Sequence, residues 1–259
     1  MQLFAPSGLK DLSLLLAVLL LTMRPVALRA QELAAEQPSE AVSSSLDDDY
    51  LWDDEEEIVF DPLEPFNRAI FWFNDKLYFY LLKPVARTYR IVPEPARESV
   101  GRAFSNLGMP VRFVNSTLQL KLRKAGTELS RFVINSTIGV LGLFDPARDM
   151  GLKKHDEDFG QTLGHYGAGP GFYLVLPVFG PSNLRDGIGR VGDMLVDPIS
   201  SPYYFKLKQA EVIGLKAFDL VNTLSLDKDT YEGIKRDALD PYLFVRNSFL
   251  QHRAAKVKE

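Results

Sequence analysis

The side chains best suited to chemistry are few. The 259-residue chain has three histidines, His155, His165 and His252, and no cysteine. Without cysteine there is no disulfide, thiolate nucleophile or cysteine-ligated metal. The histidines do not have HExxH spacing, so no metal is expected. His165 could serve as a general base oriented by Asp156, Glu157 or Asp158, of which Asp158 lies about two helical turns back. No GxSxG serine accompanies it, and His165 reads as a structural histidine. Gly187-Ile-Gly189-Arg-Val-Gly192 matches GxGxxG, but a dinucleotide site needs a strand before it. These glycines sit in a helical pattern and read as small residues that let helices pack closely. Gly167-Ala-Gly169-Pro-Gly171 lacks the Lys-Ser/Thr of a phosphate-binding loop and reads as a flexible turn. Asp61/Glu64 and the Asp-Pro steps at Asp145, Asp197 and Asp240 read as helix caps. No catalytic residue or cofactor is expected, so the chain does not read as an enzyme.

The elements around these residues are helical. Gly160 to Asp186 is organised differently: a short helical piece, a glycine-proline loop, then a nearly unbroken apolar run from Phe172 to Phe179. The run could form a strand pair by propensity, but an isolated hairpin is unstable and no other strand-like run exists to join it. The expected fold is therefore all-α, a single domain of amphipathic helices with a glycine-rich, apolar, hairpin-like segment. From Asp61-Pro62 a helix begins in which Phe66, Ile70, Phe73, Leu77 and Leu81 share one face. Phe71, Trp72, Phe79 and Tyr80 extend its apolar surface, and a helix apolar on more than one side is either deeply buried or in contact with lipid. Lys83-Pro84 is expected to break or kink it. Two later helices carry an echo, RFVNST at 112–117 and RFVINST at 131–137. Their sequons lie in apolar helical patterns, and their polar groups read as interhelical hydrogen bonders.

The charge is unevenly spread. Residues 1–60 hold three basic and twelve acidic residues, leaving 27 basic and 22 acidic beyond them, a net +5. Such a surplus suits anionic surfaces, although it also falls within ordinary solubility charge. Residues 1–30 read as a signal peptide around Leu12 to Met23, and 31–60 as a disordered acidic linker. Residues 61–253 form the folded domain and 254–259 a tail.

Together DPLEPFNRAIFWFN (61–74), KPVARTYR (83–90), FVINSTIGVLGLFD (132–145), FGQTLGHYGAGPGFYLVLPVFGPSNLRD (159–186) and DPYLFVRNSFLQ (240–251) resemble the MlaA/VacJ family, in order, over nearly all of 61–252. The resemblance implies a ring of helices in the periplasmic leaflet of the bacterial outer membrane. It implies a central channel that removes misplaced phospholipid from the outer leaflet and passes it to a periplasmic carrier, maintaining lipid asymmetry. A porin trimer is the implied membrane partner; nucleic acid is not a partner. The expected lipid path and gate is Gly164, Tyr166, Gly167, Gly169, Gly171, Phe172, Tyr173, Leu174, Leu176, Pro177 and Phe179. The expected membrane-facing set is Phe71, Trp72, Phe79 and Tyr80. The best-known members carry a lipobox cysteine that this sequence lacks, so the helices themselves are expected to hold the membrane. The alternative function is a peripheral membrane adaptor or scaffold that moves no lipid.

Overall fold

Glu64 in the first turn, Pro65 just inside it and Lys76 in the last turn suit the helix dipole, and α1 runs Glu64–Leu77. Asp61 does not cap it: the N-cap position is Leu63, with no side-chain cap. A computed structural model describes residues 61–259; the signal-peptide and linker expectations (1–30 and 31–60) lie outside the described residues. Pro84, expected to break or kink the helix, does not break it. It has no amide to offer the Tyr80 carbonyl, and its ring would crowd that oxygen. The backbone instead widens into a π-helical turn, Tyr78–Leu82, with the Lys83 amide reaching five residues back to Tyr78 O. The helix then continues as α2, Lys83–Tyr89.

The remaining helices are α3 (Glu94–Leu107), α4 (Met109–Leu118), α5 (Leu122–Thr137), α6 (Pro146–Asp149), α7 (Phe159–His165), α8 (Leu184–Val196), α9 (Gln209–Leu226), α10 (Thr230–Asp237) and α11 (Pro241–Lys258). Asp145, Asp158, Asn183 and Asp240 cap α6, α7, α8 and α11 by accepting first-turn amides. Two short strands, β1 (Tyr173–Leu176) and β2 (Gly180–Asn183), form an antiparallel hairpin with Tyr173 opposite Asn183 and Leu176 opposite Gly180. The domain is all-α apart from this hairpin. Gly180 to Asn183 supplies the second strand, and Asn183, part of the helix-start signal Ser182/Asn183 expected after Gly180-Pro181, caps the helix that starts at Leu184.

Packing runs in a circuit. α1 packs on β1, β2 on α11, α11 on α7, α7 on α4, α4 on α3, α3 on α9, and α9 on α2, which returns through the π-turn to α1. The apolar core is correspondingly divided. Met194, Ile199 and Val212 form one cluster with Phe104 and Leu107; Tyr173, Val175, Tyr242 and Phe249 form another with Ile70 and Phe71.

The burial pattern is inverted relative to a water-soluble domain. Among the described residues, 26 polar or charged residues are buried against 14 hydrophobic ones, while 30 large hydrophobics are exposed. α8 makes the inversion plain: Leu184, Ile188, Val191 and Leu195 share one exposed face, while Arg185 and Asp186 are buried. α1 buries Asn67 and Asp75 and exposes Phe66, Trp72 and Phe73. No helix among the described residues is long and apolar enough to cross a membrane.

Candidate functional site

The hairpin is held from outside its own ladder. Asn67 and Asn74 lie seven residues apart on α1, two turns along one face. Asn67 donates to Tyr173 O (3.1 Å) and accepts from the Val175 amide (2.8 Å). Asn74 donates to Leu176 O (2.9 Å) and accepts from the Val178 amide (2.6 Å). Val175 faces Pro181 in the register. The Tyr173 carbonyl and Val175 amide lie on the edge of β1 that faces away from β2, and this free edge turns to the helix side chains instead. Asp61 secures the same corner: it accepts from Asn67 Nδ2 (2.9 Å) and the Tyr242 hydroxyl and lies 3.5 Å from Arg246. Arg68 stacks 4.4 Å above the Tyr242 ring. The DPLEPFNR segment thus joins α1, the hairpin and α11.

The glycine-rich loop leaves this rigid corner. Gly167 and Gly171 take positive φ, 89° and 69°, which glycine adopts at little cost. Gly169 does not need a positive φ, and a Cβ there would meet nothing within 4 Å. All three are exposed, as is Tyr166, whose hydroxyl bonds Leu118 O. Phe172, Leu174, Leu176 and Pro177 are half-buried. Tyr173 and Phe179 are buried, Tyr173 among Tyr242 and Phe249, Phe179 under the Arg190 guanidinium at 5.7 Å. Trp72 and Tyr80 are 63% and 77% exposed. Phe71 and Phe79, expected on the outside, turn inward: Phe71 packs edge-on against Tyr242, and Phe79 against Tyr78 and Tyr231. On this helix the exposed aromatic surface is Phe66, Trp72, Phe73 and Tyr80.

Behind the loop, α7 and α8 cross with their backbones in contact. A Cβ on Gly189 would lie 2.6 Å from Gly160 Cα, and one on Gly192 2.6 Å from the Phe159 ring. Gly164 is similarly confined by Val257 and Arg185. The close-packing reading of Gly189 and Gly192 holds, whereas a Cβ on Gly187 would meet only open space.

A charged node closes this crossing. Arg253 of α11 is buried and donates to both oxygens of Asp158 (2.7 and 2.9 Å) and of Asp186 (2.6 and 2.9 Å). Asp158 is therefore committed to Arg253. His165 lies exposed at the far end of α7 with its ring against Tyr166, so the considered base–carboxylate pair does not form. Asp193 accepts from Asn115 Nδ2 (2.8 Å) and the Phe159 amide (3.0 Å). Burial, and secondarily the Asp158 charge, pushes its carboxyl up to about 8, the two hydrogen bonds opposing the rise. Thr162 donates to Asn115 Oδ1 (2.9 Å), and Gln119 bridges Thr162 to Glu157. Burial alone would raise the Glu157 carboxyl, but hydrogen bonds from Lys124 and Gln119 and the Lys121 charge hold it below the usual range. The sequon asparagines Asn115 and Asn135 both bond across elements, Asn135 to Asp145 and the Ala147 amide.

Sequence reasoning missed Asn67, Asn74, Asp193 and Arg253. The seven-residue asparagine spacing was a usable signal on α1; nothing local marks Arg253. No group of side chains suited to a metal ion occurs among the described residues.

An apolar exterior, a polar, hydrogen-bonded interior and one docked hairpin define a helical domain whose surface favours a nonaqueous neighbour. The comparisons place it more specifically. The family model described as MlaA lipoprotein matches residues 59–256, and the chain belongs to the MlaA family. It is 35% identical over 198 residues to the Escherichia coli K12 intermembrane phospholipid transport system lipoprotein MlaA, covering 74% of this chain and 76% of that one. It is 30% identical over 208 residues to the Haemophilus influenzae protein of the same name, covering 77% and 80%. An uncharacterized Rickettsia bellii protein is 38% identical over 210 residues, covering 77% and 78%. A solved structure from work on the "Structural basis for maintenance of bacterial outer membrane lipid asymmetry" matches with a TM-score of 0.67 and 34% identity, covering 76% of this chain and 99% of that one.

Proposed function

We propose that this protein transports phospholipid in the maintenance of outer-membrane lipid asymmetry. It lies in the periplasmic leaflet as a ring of helices, takes misplaced phospholipid from the outer leaflet through its polar interior, and releases it to a periplasmic carrier. Its own helices hold it in the membrane beside a porin trimer. The working domain after export by the signal peptide runs from residue 61 past the expected boundary at 253, since α11 continues to Lys258 with Val257 at Gly164.

The inverted burial pattern carries this reading. Exposing 30 large hydrophobics to water is costly, whereas acyl chains accept them without penalty. Buried charged nodes can form walls that a headgroup passes, and the lipid relatives' names agree with that cargo. The exposed Gly167–Gly171 loop is the movable part and the docked hairpin its fixed base. No covalent step is needed.

The test is transfer of labelled phospholipid from donor vesicles containing the protein to a purified periplasmic carrier. Transfer above the protein-free rate supports the reading. Membrane binding with no transfer would leave a scaffold instead. Lipid cleavage products that vanish in His165→Ala would point to a hydrolase.

A further inference from the structure

A cavity of about 550 Å³ opens between α3, α5 and the loop after α6. That size accommodates a small ligand. Its lining carries six cations, Arg102, Arg112, Arg131, Arg148, Lys153 and Lys154, and a single carboxylate, Asp145. The echo helices supply the floor: Arg112 and Arg131 are the first residues of the two RFV segments, and both are buried. Each has a dedicated partner. Arg112 meets the fully buried Glu128 at 2.6 Å, and Glu128 gives its other oxygen to the His155 amide. Arg131 meets Asp145 at 2.8 Å, and Asp145 also accepts from Asn135 and the Arg148 amide.

The rim is not balanced in this way. Arg102 is 3.3 Å from Glu98, and Lys154 is 3.1 Å from Asp156. The Arg148 guanidinium and the Lys153 ammonium make no ion pair with a carboxylate among the described residues. Both acidic oxygens of Asp145 are already used, so the cavity has surplus positive charge and several free N–H donors. That matches a phosphate, which accepts several charge-assisted hydrogen bonds at once.

An apolar platform adjoins the mouth. Arg102 donates to Leu143 O at 3.0 Å, and Phe144 directly precedes Asp145. Ile138, Val140, Leu141 and Phe144 are all exposed, Leu141 by 74%. The loop is held in that state. Val140 and Leu141 have positive φ, and Gly142 bonds Asn135 O at 2.7 Å and fits against Asn106, two lining residues. A soluble phosphate has no use for this surface, whereas acyl chains do.

We propose that this cavity binds the phosphate of a phospholipid headgroup, with its acyl chains along the 138–144 loop. The assignment rests on the lipid-transport reading for the identity of the lipid. It extends that reading by placing a headgroup-selective station away from the glycine-rich loop.

The test measures binding of short-chain phosphatidylglycerol, its phosphate-free diacylglycerol counterpart and inorganic phosphate to the full chain in detergent. The same titrations are made on the Arg148→Gln/Lys153→Gln double variant. Both side chains are exposed, so the variant retains the wild-type melting transition. Expected is tight binding of phosphatidylglycerol, at least about tenfold weaker in the variant, as follows from losing one charge-assisted contact. Diacylglycerol and inorganic phosphate each bind about tenfold or more weaker than the lipid. Equal lipid binding by the variant, or equal binding of diacylglycerol, overturns the site. Inorganic phosphate binding as tightly as the lipid overturns the lipid assignment and leaves a free-phosphate site. Binding is read without transfer: a protein that binds as described but transfers nothing sinks the transport reading alone, and transfer with unchanged binding in the variant sinks the site alone.

Discussion

Asn67 and Asn74 stand two turns apart on α1, and each bonds one carbonyl and one amide along the β1 segment, so that a helix serves as the third strand of a two-stranded sheet. This relationship explains how a short hairpin survives in an otherwise helical protein. The pairing is reciprocal at each asparagine, and leaving it unmade strands buried backbone groups.

Asn67→Ala therefore destabilises the protein by about 2–3 kcal/mol, because the buried Val175 amide and Tyr173 carbonyl both lose a partner. Asn74→Ala acts nearer the hairpin tip, where Val178 holds a positive φ of 67°. Its larger effect is local. Amide exchange across 173–179 quickens, while the global denaturant midpoint moves less than for Asn67→Ala. Hydrogen exchange and denaturant melts in micelles check both.

The two glycine groups separate folding from lipid handling. Gly189→Ala puts a Cβ against the Gly160 backbone and cannot be accommodated without moving α7 from α8, so it lowers stability by several kcal/mol. Gly169→Val meets open space at an ordinary φ and leaves the melt unchanged. Expected for Gly169→Val is impaired lipid handling in complemented cells, read as outer-leaflet phospholipid. Full complementation would remove the loop from the mechanism.

Arg253→Met removes the cation that Asp158 and Asp186 share, leaving Asp186 to Arg185 at 3.1 Å and Asp158 partly exposed, and costs about 2–3 kcal/mol. Replacing a carboxylate at the same time, as Asp186→Asn with Arg253→Met, recovers part of that loss. The double-mutant cycle in denaturant melts is the check.

Asp193 gives the fold a pH dependence opposite to that of a salt-bridged carboxylate. Its folded value is about 8, against about 3.9 for an unfolded aspartate. Below about pH 4 both states hold the proton and there is no penalty. Between about 4 and 8 the unfolded state releases a proton that the folded state keeps, so this contribution falls as pH rises and levels off above 8. Asp193→Asn reproduces the neutral form and can still accept from Asn115 and Phe159. Its stability, compared with the parent at pH 5, 7 and 9, lacks that fall. Parallel curves for the two proteins would rule the titration out.

The sequence by itself determined most of the helices, because most caps act within a few residues, although Asp61 does not cap α1 and Pro84 does not end it. Asp145, Asn183 and Asp240 were legible as local signals, as were the glycines of α8 and the interhelical role of Asn115 and Asn135. It also held the family resemblance, written in the motifs that bind the corner of α1, the hairpin and α11. Periodicity marked an apolar face on α1 but could not say which way it points, since helical spacing is the same for a core and for a lipid-facing surface. Only the tertiary structure decided that. It turned Phe66, Trp72 and Phe73 outward and buried Asn67 and Asp75, and it turned Phe71 and Phe79 inward onto Tyr242 and Tyr231. It also made a strand of Gly180 to Asn183, because the partner that completes the sheet is a pair of side chains about a hundred residues earlier. The charge clusters were equally out of reach: Arg253 finds Asp158 and Asp186 across 95 and 67 residues, and no local pattern encodes a pairing set by how distant helices meet.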